Sequence, residues 1–273
     1  LPGGCGSFGR VFEVSHLSNT LLSNKVVKLI PIDSISQQER ALNEVHFSRI
    51  ATRLPHCLGS DQSFYVQSDS RSAPDNFIGI VMDQYPMDLH HALNANLIHS
   101  PENCLKNIIR GVSFLHNNNV IHGDLCLENI FLDPSSNSDI MISDFSHAFS
   151  IESPPNRSVI FGKKTYLDTE ALSRFMDGKP DLPRIETEVF SVGFLSALLL
   201  DLIPQSEYHN YKTPEKTLHF RASGAELESI ISTHLQNPTF AGEVCIKLMD
   251  PNGVSSISDA TKNVMNFSWD AII

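Results

Sequence analysis

The feature that most constrains this chain is a pair of short motifs in its middle, at 120–129 and 142–146. The first reads V-I-H-G-D-L-C-L-E-N and places Asp124 and Asn129 five positions apart. The second reads I-S-D-F-S and carries Asp144 at its centre. Carboxylate and amide oxygens are the hard ligands that Mg²⁺ prefers. The two motifs therefore predict a site where one carboxylate faces a reacting group while the amide and the second carboxylate hold a metal.

A glycine-rich segment near the start of the sequence predicts a phosphate-binding loop. It reads G-C-G-S-F-G-R-V, and its defining residues are Gly4, Gly6, Gly9 and Val11. Glycines at this spacing let a strand–turn–strand press its backbone against phosphates, because a Cβ would block the approach. One strand later, Lys28 stands among apolar neighbours, within reach of the same phosphates. Glu44 on the next helix is its expected partner, with Glu39 as the alternative.

The apolar pattern predicts a strand-rich first third and a helical remainder. β-Branched runs at 26–30 and 78–82 predict strands. Segments 36–50, 105–116 and 189–203 are predicted as helices, and the last is apolar enough to be buried. The apolar positions of the first helix are Ala41, Leu42 and Val45. Two parts of different composition predict two lobes, and ligand sites commonly lie at such a junction.

Together these motifs resemble the eukaryotic protein kinase domain, whose catalytic loop reads His-Arg-Asp-Leu-x-x-x-Asn and is followed by Asp-Phe-Gly. Segment 162–170 is similar to the substrate-docking segment of that family, and 188–193 to the start of its central large-lobe helix. The resemblance implies an α+β, bilobal protein-kinase-like fold. We expect a small antiparallel-sheet N-lobe with one main helix at 1–84 and a larger, mainly helical C-lobe at 85–273.

The resemblance also implies the ligands and the roles of individual residues. It implies ATP as nucleotide, Mg²⁺ as cofactor and a protein as substrate, with serine or threonine as the default acceptor. Asp124 becomes the catalytic base, and Asn129 and Asp144 become the metal ligands. Lys28, held by Glu44, binds the α- and β-phosphates. The link between the lobes grips the adenine, with Met82 at the back pocket. The expected cofactor-binding residues of this region are Met82, Asp83, Tyr85 and Asp88.

Several supporting residues depart from the family pattern. Gly123 replaces the arginine that pairs with a phosphorylated activation segment, so we expect activity that is independent of phosphorylation there. Ser146 replaces a glycine, which restricts the backbone after Asp144. Glu188 replaces the aspartate that braces the catalytic loop. Val254 stands where an arginine normally pairs with the glutamate of the docking segment, so we expect that buried bridge to be lost.

Cys126 is the most consequential departure. Serine/threonine kinases keep a lysine at this position, which steadies the transferred phosphate. Lys163 falls where such kinases carry a threonine that bonds to the catalytic aspartate and to that lysine. We therefore expect the two positions to be neighbours in space and hypothesise that Lys163 supplies the cation from the opposite loop. Such a charge matters because this chemistry depends on positioning and electrostatic stabilisation.

Two other functions stay open from the sequence. The altered supporting residues favour a pseudokinase or scaffold that binds ATP, or nothing, and signals by contact. The order His122-Gly123-Asp124 is the form found in small-molecule kinases of the aminoglycoside or choline type, although those lack the glycine-rich loop and the docking segment. A fainter similarity points to divergent kinases of protist parasites, including the FIKK group, whose members generally lack a glycine-rich loop.

Composition and charge narrow the partners. The net charge of −11, from 31 acidic and 20 basic residues, argues against nucleic-acid binding. The longest apolar run, 194–200, is too short to span a membrane. Five scattered cysteines without ligand spacing indicate free thiols in a reducing compartment, so we expect an intracellular, cytoplasmic location. The chain begins at Leu1 and is expected to be a piece of a longer protein, and its oligomeric state is left open.

Overall fold

The structure is a computed structural model, and it describes most of the chain up to residue 201. The described residues are 5–6, 9–14, 24–67, 76–136, 139–154, 162–179 and 184–201. Within them, a sheet with one long helix comes first and a group of helices with short strands follows. This order confirms the predicted α+β, protein-kinase-like fold.

The N-terminal part is a five-stranded antiparallel sheet. Its strands are β1 (Cys5–Gly6), β2 (Gly9–Glu13), β3 (Lys25–Pro31), β4 (Ser63–Gln67) and β5 (Asn76–Asp83). The spatial order is β1-β2-β3-β5-β4, so β3 lies at the centre. The two strands that the sequence predicted, β3 and β5, pair along their whole length, with Lys28 opposite Ile80.

One long helix, α1 (Ile35–Ala51), packs against the sheet. Ser34 and Gln37 form a capping box at its start, in which each side chain accepts a hydrogen bond from the other residue's backbone N–H. The prediction placed this helix correctly, but its buried face is different from the expected one. Leu42 is 60% exposed, whereas Glu44 is buried. The buried face of α1 is thus built partly around a charge, which an apolar pattern does not identify.

The chain then passes through residues 84–86 into its second part. The elements are β6 (Met87–Asp88), α2 (Leu89–Asn94), α3 (Pro101–Asn117), β7 (Val120–Ile121), β8 (Ile130–Leu132), β9 (Ile140–Ile142), β10 (Phe149–Ser150), α4 (Thr169–Met176) and α5 (Ile185–Leu199). Strands β6, β8 and β9 form one small antiparallel sheet, and β7 pairs with β10. These two short sheets hold the loops on either side of Asp124 and Asp144.

The main core lies among α3, α5 and the short strands. Helix α3 buries one face, which includes Leu105, Ile108 and Val112, and α5 is buried from Thr187 to Leu199. Helix α5 begins before the predicted residue 189 and ends at Leu199, so the predicted end at 203 is wrong: residues 200 and 201 already form a turn. The lobe boundary between residues 84 and 85 stays a prediction. Among the described helices, none combines the length and the apolar character that crossing a membrane requires.

Candidate active site

Three charged residues from distant parts of the chain meet in one ion cluster. Lys28 Nζ on β3 lies 2.6 Å from Glu44 Oε1 on α1 and 3.0 Å from Asp144 Oδ1 in the loop after β9. Of the two glutamates considered for this partnership, Glu44 is the one that contacts Lys28. The Lys28 and Glu44 side chains are only 9% and 2% exposed. The cluster therefore lies between the sheet and the second part of the chain, where little water screens it.

Burial and mutual attraction shift the pKa values of this cluster in different directions. Burial would lower the pKa of Lys28, but the charges of Glu44 and Asp144 raise it above its ordinary value. Burial raises the pKa of Glu44 to about 7 despite the opposing charge of Lys28. Burial would also raise the pKa of Asp144, but Lys28 and a hydrogen bond from Ser146 lower it to about 2. Lys28 and Asp144 therefore stay charged at neutral pH.

Asp144 is held in an uncommon backbone conformation. Its φ of 66° is in the left-handed region, and its side chain caps the 3₁₀ helix Phe145–His147 by accepting from Ser146 N at 3.4 Å. Ser146 does not share the positive φ, so this serine is accommodated where the family has glycine. Asn43 on α1 fixes the same loop by donating to the carbonyl oxygens of Ser146 at 3.2 Å and Ala148 at 2.6 Å.

Asp124 is half-buried and anchored on both carboxylate oxygens. Its Oδ2 accepts from Asn129 Nδ2 at 3.0 Å, and its Oδ1 accepts from the backbone N–H of Lys163 at 3.1 Å. Burial raises the pKa of Asp124, although the nearby His147 and His122 act in the opposite direction. Asn129 also donates to the Asp124 carbonyl oxygen at 2.7 Å. Its amide nitrogen is thus occupied by Asp124, while its amide oxygen remains available for a cation.

The donor set fits the Mg²⁺ that the sequence implied. The contacts of the Asp144 carboxylate to Lys28 and Ser146 use Oδ1, which leaves Oδ2 for a cation. Asn129 offers its amide oxygen from the neighbouring loop, and both are hard oxygen ligands. Asp144 and Asn129 are therefore the two residues that would hold the metal.

Glu188, which replaces the aspartate that braces the catalytic loop in the family, binds the backbone of that loop. This buried carboxylate accepts from the backbone N–H groups of His122 at 3.2 Å and Gly123 at 2.8 Å. It also lies 2.8 Å from His116 Nε2. Burial would raise the pKa of Glu188, but the hydrogen bond and charge of His116 lower it. The longer side chain therefore still braces the loop.

Two glycines let the activation segment lie directly on the catalytic loop. Gly123 has a φ of 77°, and a Cβ there would lie 2.5 Å from the His147 carbonyl oxygen. Gly162 has a φ of 75°, and a Cβ there would lie 2.9 Å from the Gly123 carbonyl oxygen and 3.3 Å from Asp124 Oδ1. Any side chain at Gly123 is thus strained and crowded. The sequence did not predict this close backbone packing of Gly162 on Gly123 and of Gly123 on His147.

Lys163 lies beside the catalytic loop, with its cation on a glutamate. Lys163 Nζ is 2.6 Å from Glu128 Oε1, and the side chain is 44% exposed. Burial would lower the pKa of Lys163, but the neighbouring Cys126, Glu128 and Asp124 raise it. The Cys126 side chain is fully buried, and burial raises the pKa of its thiol. Glu128, the partner of Lys163, was not identified from the sequence.

The end of the docking segment is fixed by a residue that the sequence did not reveal. Arg184 donates to Glu170 at 2.7 Å and lies 3.4 Å from Asp168, which also caps α4 by accepting from Ala171 N at 2.8 Å. Glu170 therefore has a partner, but its side chain is 61% exposed and the ion pair is not a buried bridge. Val254 lies outside the described residues.

The remaining predicted residues border the space between the two parts. Gly4 lies outside the described residues, and Gly6 pairs with Gly9 at the turn of the β1–β2 hairpin. A Cβ at Gly9 would lie 2.9 Å from a carbonyl oxygen of β3, so this position requires glycine unless β3 shifts. In the same register, Val11 stands opposite Lys28.

Four further predicted residues lie on the link or on the strands β5 and β6 that flank it. Met82 is buried, Tyr85 is half-buried, and Asp83 pairs with Lys25 at 2.6 Å. Asp88 caps α2 by accepting from His91 N at 2.8 Å.

An open cleft of about 540 Å³, including its mouth, lies beside Asp124. Its walls include Lys163, Tyr166 and Leu167 from the docking segment and Phe175 from α4. The cleft thus reaches Asp124 from the side of the docking segment.

Comparisons with known proteins agree with this geometry. The family model for the protein kinase domain matches residues 3–251. A probable serine/threonine-protein kinase PLK of Dictyostelium discoideum is 22% identical over 215 residues, covering 77% of this chain and 20% of that protein. Serine/threonine-protein kinase PLK1 of Xenopus laevis is 25% identical over 203 residues, covering 72% of this chain and 31% of that protein.

A third relative matches a shorter stretch more closely. The liver/testis gamma catalytic chain of phosphorylase b kinase from Bos taurus is 34% identical over 96 residues, covering 35% of this chain and 23% of that protein. The chain thus spans between about a fifth and a third of the length of these three relatives.

Proposed function

We propose that this chain, which belongs to the protein kinase domain family, binds ATP with Mg²⁺ and transfers the γ-phosphoryl group to a protein hydroxyl. The observation that carries the proposal is the cluster of Lys28, Glu44 and Asp144 beside the Asp124–Asn129 pair. Burying charges costs free energy, and an apolar group would often serve stability as well. A buried lysine that reaches both a helix glutamate and a loop aspartate is therefore best explained by phosphate binding.

The chemistry follows from the groups around Asp124. In this proposal, its carboxylate takes the proton of the acceptor hydroxyl as that oxygen attacks the γ-phosphorus. The new oxygen–phosphorus bond forms while the bond to the β-phosphate oxygen breaks, and ADP leaves with the electron pair. Lys28 neutralises phosphate charge, and Asn129 keeps Asp124 oriented. Mg²⁺, held by Asp144 and Asn129, supplies charge neutralisation across the phosphates. Serine or threonine is the proposed acceptor, because the relatives above are named serine/threonine kinases.

Lys163 completes the site in this proposal. Its backbone N–H contacts Asp124, and its side chain is anchored by Glu128 on the catalytic loop, near Cys126. The buried thiol of Cys126 provides no positive charge on this side of the catalytic loop. The ammonium group of Lys163 provides one there. Rotation away from Glu128 would let Lys163 reach the transferred phosphate, where a preorganised charge is most effective.

The same geometry supports activity that is independent of phosphorylation of the activation segment. Gly162 packs on Gly123, and the next residue, Lys163, hydrogen-bonds to Asp124. These contacts fix the end of the activation segment through backbone atoms, without an arginine–phosphate pair. Phosphatase treatment is expected to leave turnover unchanged.

A nucleotide-binding pseudokinase is the second candidate. It is favoured by one observation, the ion pair of the proposed replacement cation, Lys163, with Glu128. If that pair persists, the site binds nucleotide but lacks a positive charge at the transferred phosphate.

Phosphate transfer from labelled ATP, with Mg²⁺ and a mixture of basic and acidic proteins, separates the two. Transfer that disappears in Asp144→Ala and persists in Asp177→Ala supports the kinase, because Asp177 is paired with Lys179 and lies outside the cluster. No transfer, together with an ATP-dependent rise in melting temperature, supports the pseudokinase. A protein that shows neither would contradict both functions.

A further inference from the structure

Three metal-ligating groups come together where the link meets α2. Asp88 ends β6 and caps α2, and His90 and His91 lie in the first turn of that helix. One ligand atom from each residue lies within 4.8 Å of the ligand atoms of the other two. Asp88 and His90 are half-buried, and His91 is exposed. None of the three takes part in the proposed chemistry at Asp124.

Two imidazoles and one carboxylate form a donor set that suits Zn²⁺. Zinc commonly takes nitrogen and carboxylate ligands in tetrahedral geometry, whereas Mg²⁺ prefers oxygen ligands only. Zinc bonds of 2.0–2.2 Å place neighbouring ligand atoms roughly 3.3–3.6 Å apart. The ligand atoms lie within 4.8 Å of one another, so side-chain rotations at a half-exposed site would bring the three groups onto one ion.

The side chains of Asp88, His90 and His91 already lie close together. His91 Nδ1 lies 2.8 Å from Asp88 Oδ1 and 2.7 Å from Asp88 Oδ2. His90 Nε2 accepts from Asn94 Nδ2 at 3.2 Å one turn along the helix, so a metal would either replace this hydrogen bond at Nε2 or require the ring proton to leave Nδ1. Capping of α2 requires only that the Asp88 carboxylate accept from the His91 backbone N–H. The cap therefore accounts for Asp88 and leaves the two imidazoles unexplained.

A second observation comes from the adjoining catalytic loop. Glu128 Oε2 is a buried carboxylate oxygen that has no hydrogen-bond partner among the described residues. Burial would raise the pKa of Glu128, but Lys163 lowers it, with a smaller contribution from His90. Helix α2, which carries His90, packs against the turn Leu127–Asn129 that carries Glu128. A cation at the cluster would add to the positive charge facing that carboxylate.

We propose that Asp88, His90 and His91 bind a divalent transition metal of the Zn²⁺ type, and that its binding weakens the binding of nucleotide. The second half rests on the proposed function and on the prediction from the sequence that Asp88 is a nucleotide-binding residue. A metal that takes up the Asp88 carboxylate removes it from the nucleotide side and places an ion at the mouth of the site. The coupling is reciprocal, so nucleotide weakens zinc binding by the same factor.

Zinc affinity is measured first, by competition with a chromophoric chelator, and needs no kinase activity. His90→Gln and His91→Gln are each expected to weaken zinc binding at least about 10-fold, the lower end of the loss for an outer-shell partner. Asp88→Asn keeps a good helix cap and loses the anionic ligand, so it separates capping from coordination. His99→Gln, which changes an exposed histidine outside the cluster, is the control. Zinc binding that is equal in the wild type and the two histidine variants overturns the site.

Coupling is measured by calorimetric titration with adenosine, because the phosphates of ATP would bind zinc themselves. Zinc is expected to raise the adenosine Kd of the wild type and to have no effect on His90→Gln or His91→Gln. Both variants should bind adenosine normally without zinc, since neither histidine is placed in the nucleotide site. Zinc that binds at the cluster and leaves the adenosine Kd unchanged overturns the competition. Failure to bind adenosine at all contradicts the proposed function instead, while the chelator measurement still decides the metal site.

Discussion

Two lysine–glutamate pairs of identical length lie on opposite sides of Asp124. The Lys28–Glu44 and Lys163–Glu128 distances are both 2.6 Å. The first pair is buried, at 9% and 2% exposure, and the second is open to water, at 44% and 33%. Distance alone would rank the pairs as equal. Since screening by water weakens an exposed pair, their contributions to the site must differ widely.

The two pairs also differ in what else holds them. Lys28 contacts a second carboxylate, Asp144, and so belongs to a three-residue cluster. The Lys163 side chain pairs with Glu128, and its position depends on the backbone contact between Gly162 and Gly123. The buried pair is therefore fixed by its own charges, and the exposed pair by the path of the activation segment. This difference suits the proposed roles, in which Lys28 stays in place and Lys163 moves toward a substrate.

The sharpest test of this contrast replaces each lysine by methionine. Lys28→Met leaves two carboxylates together without a cation and is expected to lower turnover on the order of 100- to 1000-fold, as for the loss of a preorganised donor. Lys163→Met should cost only about 10-fold, because a charged hydrogen bond in partial contact with water contributes less. Initial rates of phosphate transfer measure both effects.

Lys179→Met is the matched control, because Lys179 forms an equally short exposed pair with Asp177, 2.7 Å long, away from the site. Raising the ionic strength should shrink the Lys163 effect and leave the Lys28 effect in place. Equal losses in the two variants would break the comparison. An unchanged initial rate in Lys163→Met would show that Lys163 takes no part in the chemistry.

Local motifs explain why part of the site could be predicted from the sequence. Asp124, Asn129 and Asp144 stand in two short motifs, and Lys28 follows a glycine-rich turn at a fixed spacing. The first three groups lie inside the motifs that identify them, and Lys28 stands in the strand that follows the glycine-rich segment. Strands β3 and β5 and helices α1, α3 and α5 followed in the same way from local apolar patterns.

Contacts between distant segments carry no such local signal. Asn43 reaches the carbonyl oxygen of Ala148 across 105 positions, and Arg184 reaches Glu170 from the start of another helix. Leu42 fits an apolar helix face but is exposed, because the buried face of α1 turns toward Lys28 with Glu44. Such choices depend on what packs opposite, which the residues of the helix do not encode.

The exposed pair should be sensitive to the backbone that carries it. Gly162→Ala places a Cβ 2.9 Å from the Gly123 carbonyl oxygen, so the segment must shift and the Lys163–Asp124 hydrogen bond should weaken. We expect a loss of about 1–3 kcal/mol in stability beyond the conformational cost, with lower turnover and an unchanged KM for ATP.

Gly178→Ala is the control for backbone strain. Gly178 has a φ of 64°, and an added Cβ would have no neighbour within 4 Å. Its conformational cost of about 1–2 kcal/mol is shared by both variants, so their difference isolates the crowding. Urea unfolding and steady-state kinetics of the two variants measure this difference. Equal stabilities of Gly162→Ala and Gly178→Ala would show that the segment around Gly162 shifts at no cost in free energy. The exposed pair would then not be fixed by this segment.

The two glutamates give the most subtle contrast, because their pKa values shift in opposite directions. Burial raises the pKa of Glu44 from 4.5 to about 7. The pKa of Glu128 is lowered instead, since Lys163 outweighs a smaller burial. Between pH 4.5 and 7, folded Glu44 holds a proton that the unfolded chain has released. The free energy of unfolding therefore falls with rising pH in this window, by at most about 1.4 kcal/mol per pH unit from this group.

Urea unfolding of the wild type, Glu44→Gln and Glu128→Gln across this window tests the sign. The free energy of unfolding of the wild type, relative to that of Glu44→Gln, should fall as the pH rises from 4.5 to 7. The difference between wild type and Glu128→Gln should stay flat there, because the stability that Glu128 contributes is lost only as the pH falls below its ordinary pKa of 4.5. Asp144 does not interfere, since its own change lies between about 2 and 3.8. Groups common to all three proteins cancel in the differences. Parallel curves for the two variants would mean that burial does not separate the two pairs.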